Sequence, residues 1–253
     1  MNEDQGTYIR YKGCSYIIIN ECFIKNILRL PQSKKIKNGK LPVMDKPVIY
    51  TVGHSTHPID YFLSLLQNYS VNCLIDVRSV AASTYNPQYN QQPLSNFLKQ
   101  SQITYLHLSD EFGARQTDPD LLDDDGKVDF EKVRKSWNFK NGVERLWLAL
   151  DKGFIIALMC SESEPFDCHR FSMISTALVK DGFDVQHILK DKSVKSNAVL
   201  EKELLKKYDK KLSKPDMFNP NITLEDQLKE AYRLRNKEIA FSPYVKDAME
   251  RYD

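Results

Sequence analysis

Short apolar runs recur between residues 47 and 190, and each is followed by a stretch whose apolar positions have helical spacing. Continuous apolar runs of five or six residues are typical of strands that are buried on both faces of a parallel sheet. The runs are Val48–Val52, Cys73–Val77, Ile103–Leu108, Phe154–Met159 and Asp184–Leu189. Their alternation with helices predicts an α/β fold: a three-layer, open, mostly parallel and Rossmann-like sheet of about five strands.

Helical patterns connect these strands and continue beyond them. The predicted helices are 58–67, 93–100, 141–151, 168–180, 194–208 and 223–240. The last begins at Thr223, whose hydroxyl can cap the helix with Asp226 in the reciprocal position. The chain therefore divides into an N-terminal extension and linker (1–46), an α/β domain that carries the site (47–190) and a helical C-terminal extension (191–253). The N-terminal extension is expected to hold a strand pair or a helix.

Composition places the chain among ordinary globular proteins, with 42% hydrophobic and 28% charged residues in a length of 253. Five cysteines without framework spacing favour a reducing compartment, and we therefore predict a cytoplasmic protein. The apolar stretch 16–28 is interrupted by Asn20, Glu21 and Lys25, and it is too short to span a membrane.

Charge is spread unevenly, although the net charge of +2 is small. Residues 110–131 carry nine acidic side chains against Arg115 and Lys127, and residues 190–214 carry nine lysines against four acidic residues. Solvated loops and helix faces explain both segments, and a lysine-rich arm that contacts nucleic acid is the alternative. The expected partner is an anionic small molecule or nucleic acid, and the oligomeric state is not predicted.

Polar side chains follow four of the predicted strands at their carboxyl ends, where open parallel sheets bind ligands. We expect the following candidates to line one pocket: Gly53, His54, Ser55, Asp76, Arg78, Tyr89, Asn90, His107, Glu111, Arg115, Cys160, Glu162, Cys168, His169 and Arg170. Because chance would scatter such residues, their common position indicates a site.

Glu162, Asp76, His54 and Cys168 are the candidate catalytic residues. A carboxylate behind a buried strand loses solvation, so Glu162 is expected to act as a general acid or base with a raised pKa. The alternative for Glu162 is a salt bridge to Arg78 or Arg170. Asp76 is either a functional carboxylate or the partner of Arg78.

Cys168, His169 and Arg170 lie at the predicted start of a helix, where free N–H groups and the helix dipole favour an anion and lower the pKa of a thiol. Arg170 is expected to bind a phosphate or carboxylate with two hydrogen bonds. The structural alternative is a buried thiol, with His169 and Arg170 bonded to loop carbonyls.

Successive motifs of this chain resemble the family called domain of unknown function 488. They are Thr51–Ser55, Asp76–Arg78, Asn86–Asn90, Leu108–Arg115, and Cys160-x-Glu162 with Cys168–Arg170. The resemblance covers about residues 48–189 and implies a compact α/β domain with a polar pocket, in a cytosolic microbial protein whose family has no established activity. The chain departs from the family at residues 81–84, where a proline and a serine–arginine pair are usual, and at the turn 111–114.

No cofactor is predicted, and zinc remains an alternative through Cys160, Cys168 and His169 with His54 or His107. The pair Cys160-x-Glu162 is similar to the cysteine–glutamate element of zinc deaminases, but only one thiol follows Pro165. No dinucleotide fingerprint or phosphate loop is present. The residues favour an enzyme, a hydrolase or transferase that acts on an anionic, nucleotide-like or nucleic-acid substrate. The alternatives are a non-catalytic binding module for nucleotides or nucleic acid and a zinc-dependent enzyme.

Overall fold

Six strands form one sheet in the computed structural model of the protein, which describes residues 8–11, 14–17, 46–215 and 217–243. The chain divides into two units, 1–45 and 46–253. In the first unit, β1 (Tyr8–Tyr11) and β2 (Cys14–Ile17) pair antiparallel. The remainder of the N-terminal extension lies outside the described residues.

The sheet of the second unit has the order β5-β4-β6-β3-β7-β8. Its strands are β3 (Val48–Gly53), β4 (Cys73–Asp76), β5 (Thr104–His107), β6 (Ile156–Cys160), β7 (Asp184–Ile188) and β8 (Val194–Ser196). The first five are parallel, and β8 pairs antiparallel with β7. The predicted α/β fold is confirmed, with one more strand than the expected five or so. The segment 194–196, predicted as the start of a helix, forms that strand.

Helices cover both faces of the sheet. They are α1 (Ile59–Gln67), α2 (Gln91–Gln100), α3 (Ser109–Phe112), α4 (Phe130–Lys135), α5 (Trp137–Asp151), α6 (Thr176–Lys180), α7 (Asn197–Tyr208) and α8 (Leu224–Ile239). Strand β6 shows the layering: Ile156 and Leu158 belong to one apolar cluster, whereas Ala157 and Met159 belong to another on the opposite face. All five residues of β6 are buried, as the continuous apolar run predicts.

The C-terminal helices pack on the domain through an apolar cluster. Phe171 contributes from the segment after β6, Leu200 and Leu204 from α7, and Ala231 and Tyr232 from α8. In the lysine-rich helix α7, Lys207 forms an ion pair with Glu238 of α8. Among the described residues, no helix is both long and apolar enough to cross a membrane.

Candidate metal centre

The loop that follows β6 lies against the end of β3, in the middle of the sheet's carboxyl edge. The N–H groups of His54 and Ser55 donate to the carbonyls of Cys160 and Ser161, both at 2.9 Å. Gly53 allows this approach, because a Cβ there would lie 1.9 Å from the Glu162 carbonyl oxygen. The glycine therefore fixes where Glu162 leaves the sheet.

The loop returns to the same place through a 3₁₀ turn at Pro165–Asp167, after which the Cys168 N–H donates to the Pro165 carbonyl at 3.1 Å. A π-helical segment, Arg170–Ser175, follows instead of the predicted α-helical turn, and α-helix resumes at Thr176. Such π segments often occur at functional sites. Cys168 and His169 precede this segment, beside Cys160 at the end of β6.

Four potential metal ligands converge here: the ligand atoms of Cys160, Glu162, Cys168 and His169 all lie within 4.8 Å of one another. The Glu162 Oε2 atom is 2.8 Å from the Cys160 sulfur and 3.0 Å from the Cys168 sulfur. The His169 Nδ1 atom is 3.6 Å from the first sulfur and 3.7 Å from the second. Two soft thiolates with an imidazole and a carboxylate form a donor set suited to zinc.

The distances between sulfur and nitrogen fit a tetrahedral zinc site. Zinc bonds of about 2.3 Å to sulfur and 2.0 Å to nitrogen separate the two ligand atoms by about 3.6 Å, as both thiols and His169 Nδ1 are separated here. The Glu162 oxygen lies closer to the sulfurs than a zinc ligand would, at S–H···O distances. Zinc would replace the thiol protons and move this carboxylate outward by roughly half an ångström.

A backbone carbonyl orients the imidazole. The His169 Nε2 atom lies 3.1 Å from the Val77 carbonyl oxygen, which can only accept, so Nε2 carries the proton and donates. Nδ1 is the ring nitrogen that faces the two sulfurs, and in the neutral ring it would offer its lone pair to a metal bound between them. Metal-binding histidines commonly have their second nitrogen held in this way.

Arg170 supplies a buried positive charge beside the thiols. Its side chain is fully buried, and it donates to the carbonyls of Glu162 at 2.5 Å and Ser163 at 2.8 Å. No carboxylate among the described residues forms an ion pair with Arg170. The geometry therefore matches the structural alternative for this arginine, in which it holds the loop that carries two of the ligands.

The pKa values of the four groups are shifted, because the groups are packed close together and most of them are buried. Burial opposes ionisation of the Cys168 thiol, but the Cys160 hydrogen bond and the charges of Arg170 and His169 lower its pKa well below the usual value. Burial and the neighbouring Cys168 raise the pKa of Cys160. Burial and the Cys168 charge also raise the pKa of Glu162, whose inner oxygen contacts the thiols although the residue as a whole is exposed. Burial lowers the pKa of His169, but the Cys168 charge outweighs it and the net shift is upward.

A second buried network lies directly beside this centre. Asp76 is fully buried and accepts hydrogen bonds from Arg78 Nε and Nη2 and from the Tyr105 hydroxyl. Arg78 Nη1 lies 3.1 Å from His54 Nε2, while His54 Nδ1 donates to the Ser55 carbonyl at 2.7 Å. Burial first, and then the charge of Arg78, lower the pKa of His54 to about 4, so the ring is neutral. Arg78 is thus occupied by protein partners.

The other sequence-predicted residues have mainly structural contacts. Tyr89 is buried and stacks on His54, and Asn90 Oδ1 accepts from the Ser83 N–H. His107 Nε2 lies 2.8 Å from the Arg78 carbonyl. Glu111 pairs with Arg145, and the Arg115 guanidinium lies over the Phe241 ring. The structure therefore brings together the four potential ligands, Arg170 and the Asp76 network, whereas the side chains of Asn90, Glu111 and Arg115 bond or pack with other described residues.

Two contacts of this site were not predicted from the sequence. The first is the hydrogen bond from His169 Nε2 to the Val77 carbonyl, a backbone group that no pattern of side chains indicates. Arg235, in a helix more than sixty residues downstream, donates to Phe166 and Asp167 of the loop. The capping residues and the amphipathic pattern predicted helix α8 itself. They did not indicate which residues of the domain this helix contacts.

The fold and the site together define an open α/β domain with a cluster of two cysteines, a histidine and a glutamate at the carboxyl ends of its parallel strands. Residues 58–177 match the model of the family described as Domain of unknown function DUF488. This match confirms the family resemblance that the sequence predicts, and residues 58–177 are called the family domain below. Comparisons with curated proteins and with solved structures gave no match.

Proposed function

We propose that this protein is a zinc-dependent hydrolase that acts on an anionic, nucleotide-like substrate at the centre formed by Cys160, Glu162, Cys168 and His169. The observation that carries the proposal is the convergence of four ligand atoms within 4.8 Å, with the His169 ring oriented by a carbonyl. Cys160 and Cys168 are free cysteines, which agrees with the reducing compartment predicted from the sequence.

Charge balance supports a divalent metal. Two thiolates and one carboxylate carry three negative charges, Arg170 carries one positive charge, and a zinc ion makes the group neutral. Without a metal, protons must neutralise the cluster, because buried uncompensated charges are unfavourable. The buried arginine thus favours the ionised thiols that a metal requires.

The exposure of the ligands supports a catalytic rather than a closed structural site. Cys160, Cys168 and His169 are at most 8% exposed, whereas Glu162 is an exposed residue on a loop. Catalytic zinc sites keep three protein ligands and leave the fourth position for water or substrate. Cys160, Cys168 and His169 would hold the metal, which would supply an activated water, and Glu162 would serve as the general base for that water.

The same donor set is used by zinc deaminases, in which two cysteines and a histidine bind zinc and a nearby glutamate transfers protons. This likeness of chemistry supports a hydrolysis in which water adds to a nucleobase-like carbon and an amine leaves. Arg78 and Arg170 donate to protein partners, so the anionic group of the substrate is expected to bind outside these two arginines.

Metal analysis and cobalt spectroscopy test the metal site. We expect about one zinc per chain after purification, and replacement by cobalt should give the strong sulfur-to-metal absorption of two thiolate ligands. Cys160→Ala, Cys168→Ala and His169→Ala should lose the metal. Cys73→Ala is the matched control, because Cys73 is equally buried but not in the cluster. A parent protein that binds zinc no better than Cys168→Ala would contradict the proposal.

Glu162→Gln separates a catalytic site from a structural one. We expect this variant to keep zinc through the three buried ligands and to lose at least a hundredfold in turnover, because the general base is removed. Turnover is measured as ammonia release from a panel of nucleosides, nucleotides and short single-stranded nucleic acids. If the parent binds zinc and turns over no member of the panel, the structural metal site is favoured and the hydrolase is rejected.

A further inference from the structure

Arg235 of α8 contacts the loop that follows β6 and carries Glu162 and Cys168. Arg235 itself lies outside the family domain. The guanidinium is buried, and its Nε donates to the Phe166 carbonyl at 3.1 Å while Nη2 donates to Asp167 Oδ1 at 2.5 Å. Phe166 and Asp167 directly precede Cys168. Arg235 therefore bonds to the two residues that determine where the second thiol enters the cluster.

Further contacts hold this arginine in place. Its Nη1 donates to Glu238 of the same helix at 2.9 Å, and its guanidinium lies over the Phe166 ring at 5.0 Å. Glu238 in turn accepts from Lys207 of α7 at 2.7 Å. The two C-terminal helices thus fix the side chain that contacts the loop.

We infer that Arg235 is a positioning residue for the metal centre and that helix α8 completes a site whose ligands all lie in the family domain. The inference rests on the proposed function, because it requires that the cluster binds a metal. Residues 163–167 join Cys160 and Glu162 to Cys168 and His169, so a shift of this segment moves two ligand pairs relative to each other. Arg170 holds the first half of the loop, at Glu162 and Ser163, and Arg235 holds the second half.

Zinc affinity of Arg235→Met tests this role directly. Loss of partners that orient metal ligands typically lowers metal affinity by 10- to 100-fold, and we expect a loss in that range for this variant. Arg233→Met is the matched control: Arg233 lies on the same helix, and among the residues that the structure describes its ion pair is with Glu230 of that helix. We expect the control to bind zinc within twofold of the parent in a competition titration with a chelating dye.

A second variant distinguishes a local effect on the loop from a general folding defect of Arg235→Met. The Asp167 side chain is 64% exposed, so Asp167→Ala removes one bond to Arg235 without opening the core. We expect a smaller but measurable loss of zinc affinity, about threefold or more, with a metal-free melting temperature like that of the parent. Arg235→Lys should recover part of the affinity, because a lysine can still reach one loop acceptor.

The outcomes separate this inference from the proposed function. A parent protein without zinc affinity contradicts the metal site itself. A parent that binds zinc, with Arg235→Met and Asp167→Ala binding as tightly as Arg233→Met, overturns the role of Arg235 alone. Cobalt absorption should keep its thiolate bands in both variants, since all four ligands remain; loss of those bands at saturating cobalt would show that Arg235 maintains the ligand set and not only its geometry.

Discussion

Two arginines at the sheet edge have different electrostatic surroundings. Arg78 is paired with the fully buried Asp76, and this pairing raises the pKa of Arg78 even though burial opposes it. Among the described residues, the Arg170 guanidinium has only carbonyl partners, and its Nε has none. A buried cation that lacks a carboxylate favours ionisation of the nearest acidic groups, which here are the thiols of the proposed centre.

His187 gives a pH dependence of stability that can be isolated by mutation. It is fully buried between Thr51 and Asn197, and burial lowers its pKa from 6.5 to about 3. The folded-state pKa lies below the unfolded one, so this stabilisation is complete above pH 6.5 and is lost as pH falls toward 3. At pH 5 we expect a loss of about 2 kcal/mol relative to pH 7 from this residue.

Urea unfolding of the parent and of His187→Gln at pH 7 and pH 5 measures that contribution. The glutamine does not titrate, so the difference between the two variants should shrink by about 2 kcal/mol at the lower pH. Arg170 and the Cys168 thiol also influence His187, and both remain in the variant. Equal acid sensitivity of the two proteins would show that His187 is not held neutral by burial.

At the residue scale, the sequence predicted that Cys160, Glu162, Cys168 and His169 lie in one site, but not which atoms each side chain contacts there. Glu162, Cys160, Cys168 and His169 all came from one eleven-residue motif, Cys160–Arg170, behind a buried strand, which made them strong candidates. The sequence did not predict that Glu162 contacts two thiols rather than an arginine, because the path of the loop depends on Gly53 and Arg170. Spacing alone also gave zinc little support, since the ligands do not follow a standard zinc pattern.

At the element scale, the end of β3 and the loop after β6 form one unit. Gly53 on β3 faces the Glu162 carbonyl, and the next two N–H groups bond to Cys160 and Ser161. Any side chain at residue 53 must displace backbone rather than the end of a flexible side chain. The strand therefore controls the position of the proposed metal ligands.

Gly53→Ala should disturb stability and metal binding together. The added Cβ would meet a backbone oxygen, and overpacking of this kind typically costs about 1–3 kcal/mol. Because the displaced carbonyl belongs to Glu162, we also expect a zinc affinity at least tenfold lower. Ser161→Ala is the control in the same loop, since Ser161 is exposed. Urea unfolding and zinc titration that do not distinguish the two variants would argue against this close packing.

The strands were easier to predict than the segments that join them. Cys73–Asp76 and Ile156–Cys160 are buried on both faces, so their apolar runs identify them directly. Strand β8 is a three-residue edge strand with exposed or half-buried positions and gives no apolar run. The π-helical segment 170–175 has the same apolar positions as an α-helix, and only its backbone bonds distinguish it.

At the scale of the whole molecule, the C-terminal helices are packed against the family domain rather than extended from it. Phe171, which follows the proposed metal ligands, is fully buried against α7 and α8. Arg235 adds polar contacts to the same interface. The free energy of metal binding should therefore stabilise the domain and these helices as one cooperative unit.

Zinc should raise the melting temperature of the whole molecule. At a free concentration one hundred times Kd, binding adds about 2.7 kcal/mol to the free energy of unfolding. For a unit of about 200 residues this corresponds to a shift of about 5–10 °C. We expect circular dichroism and the fluorescence of Trp147, which packs on Phe183, to report one transition that moves by this amount. Cys73→Ala should show the same shift and Cys168→Ala none. If circular dichroism separates a metal-sensitive transition from a metal-insensitive helical one, α8 is not coupled to the centre, because a shared interface requires both parts to unfold together.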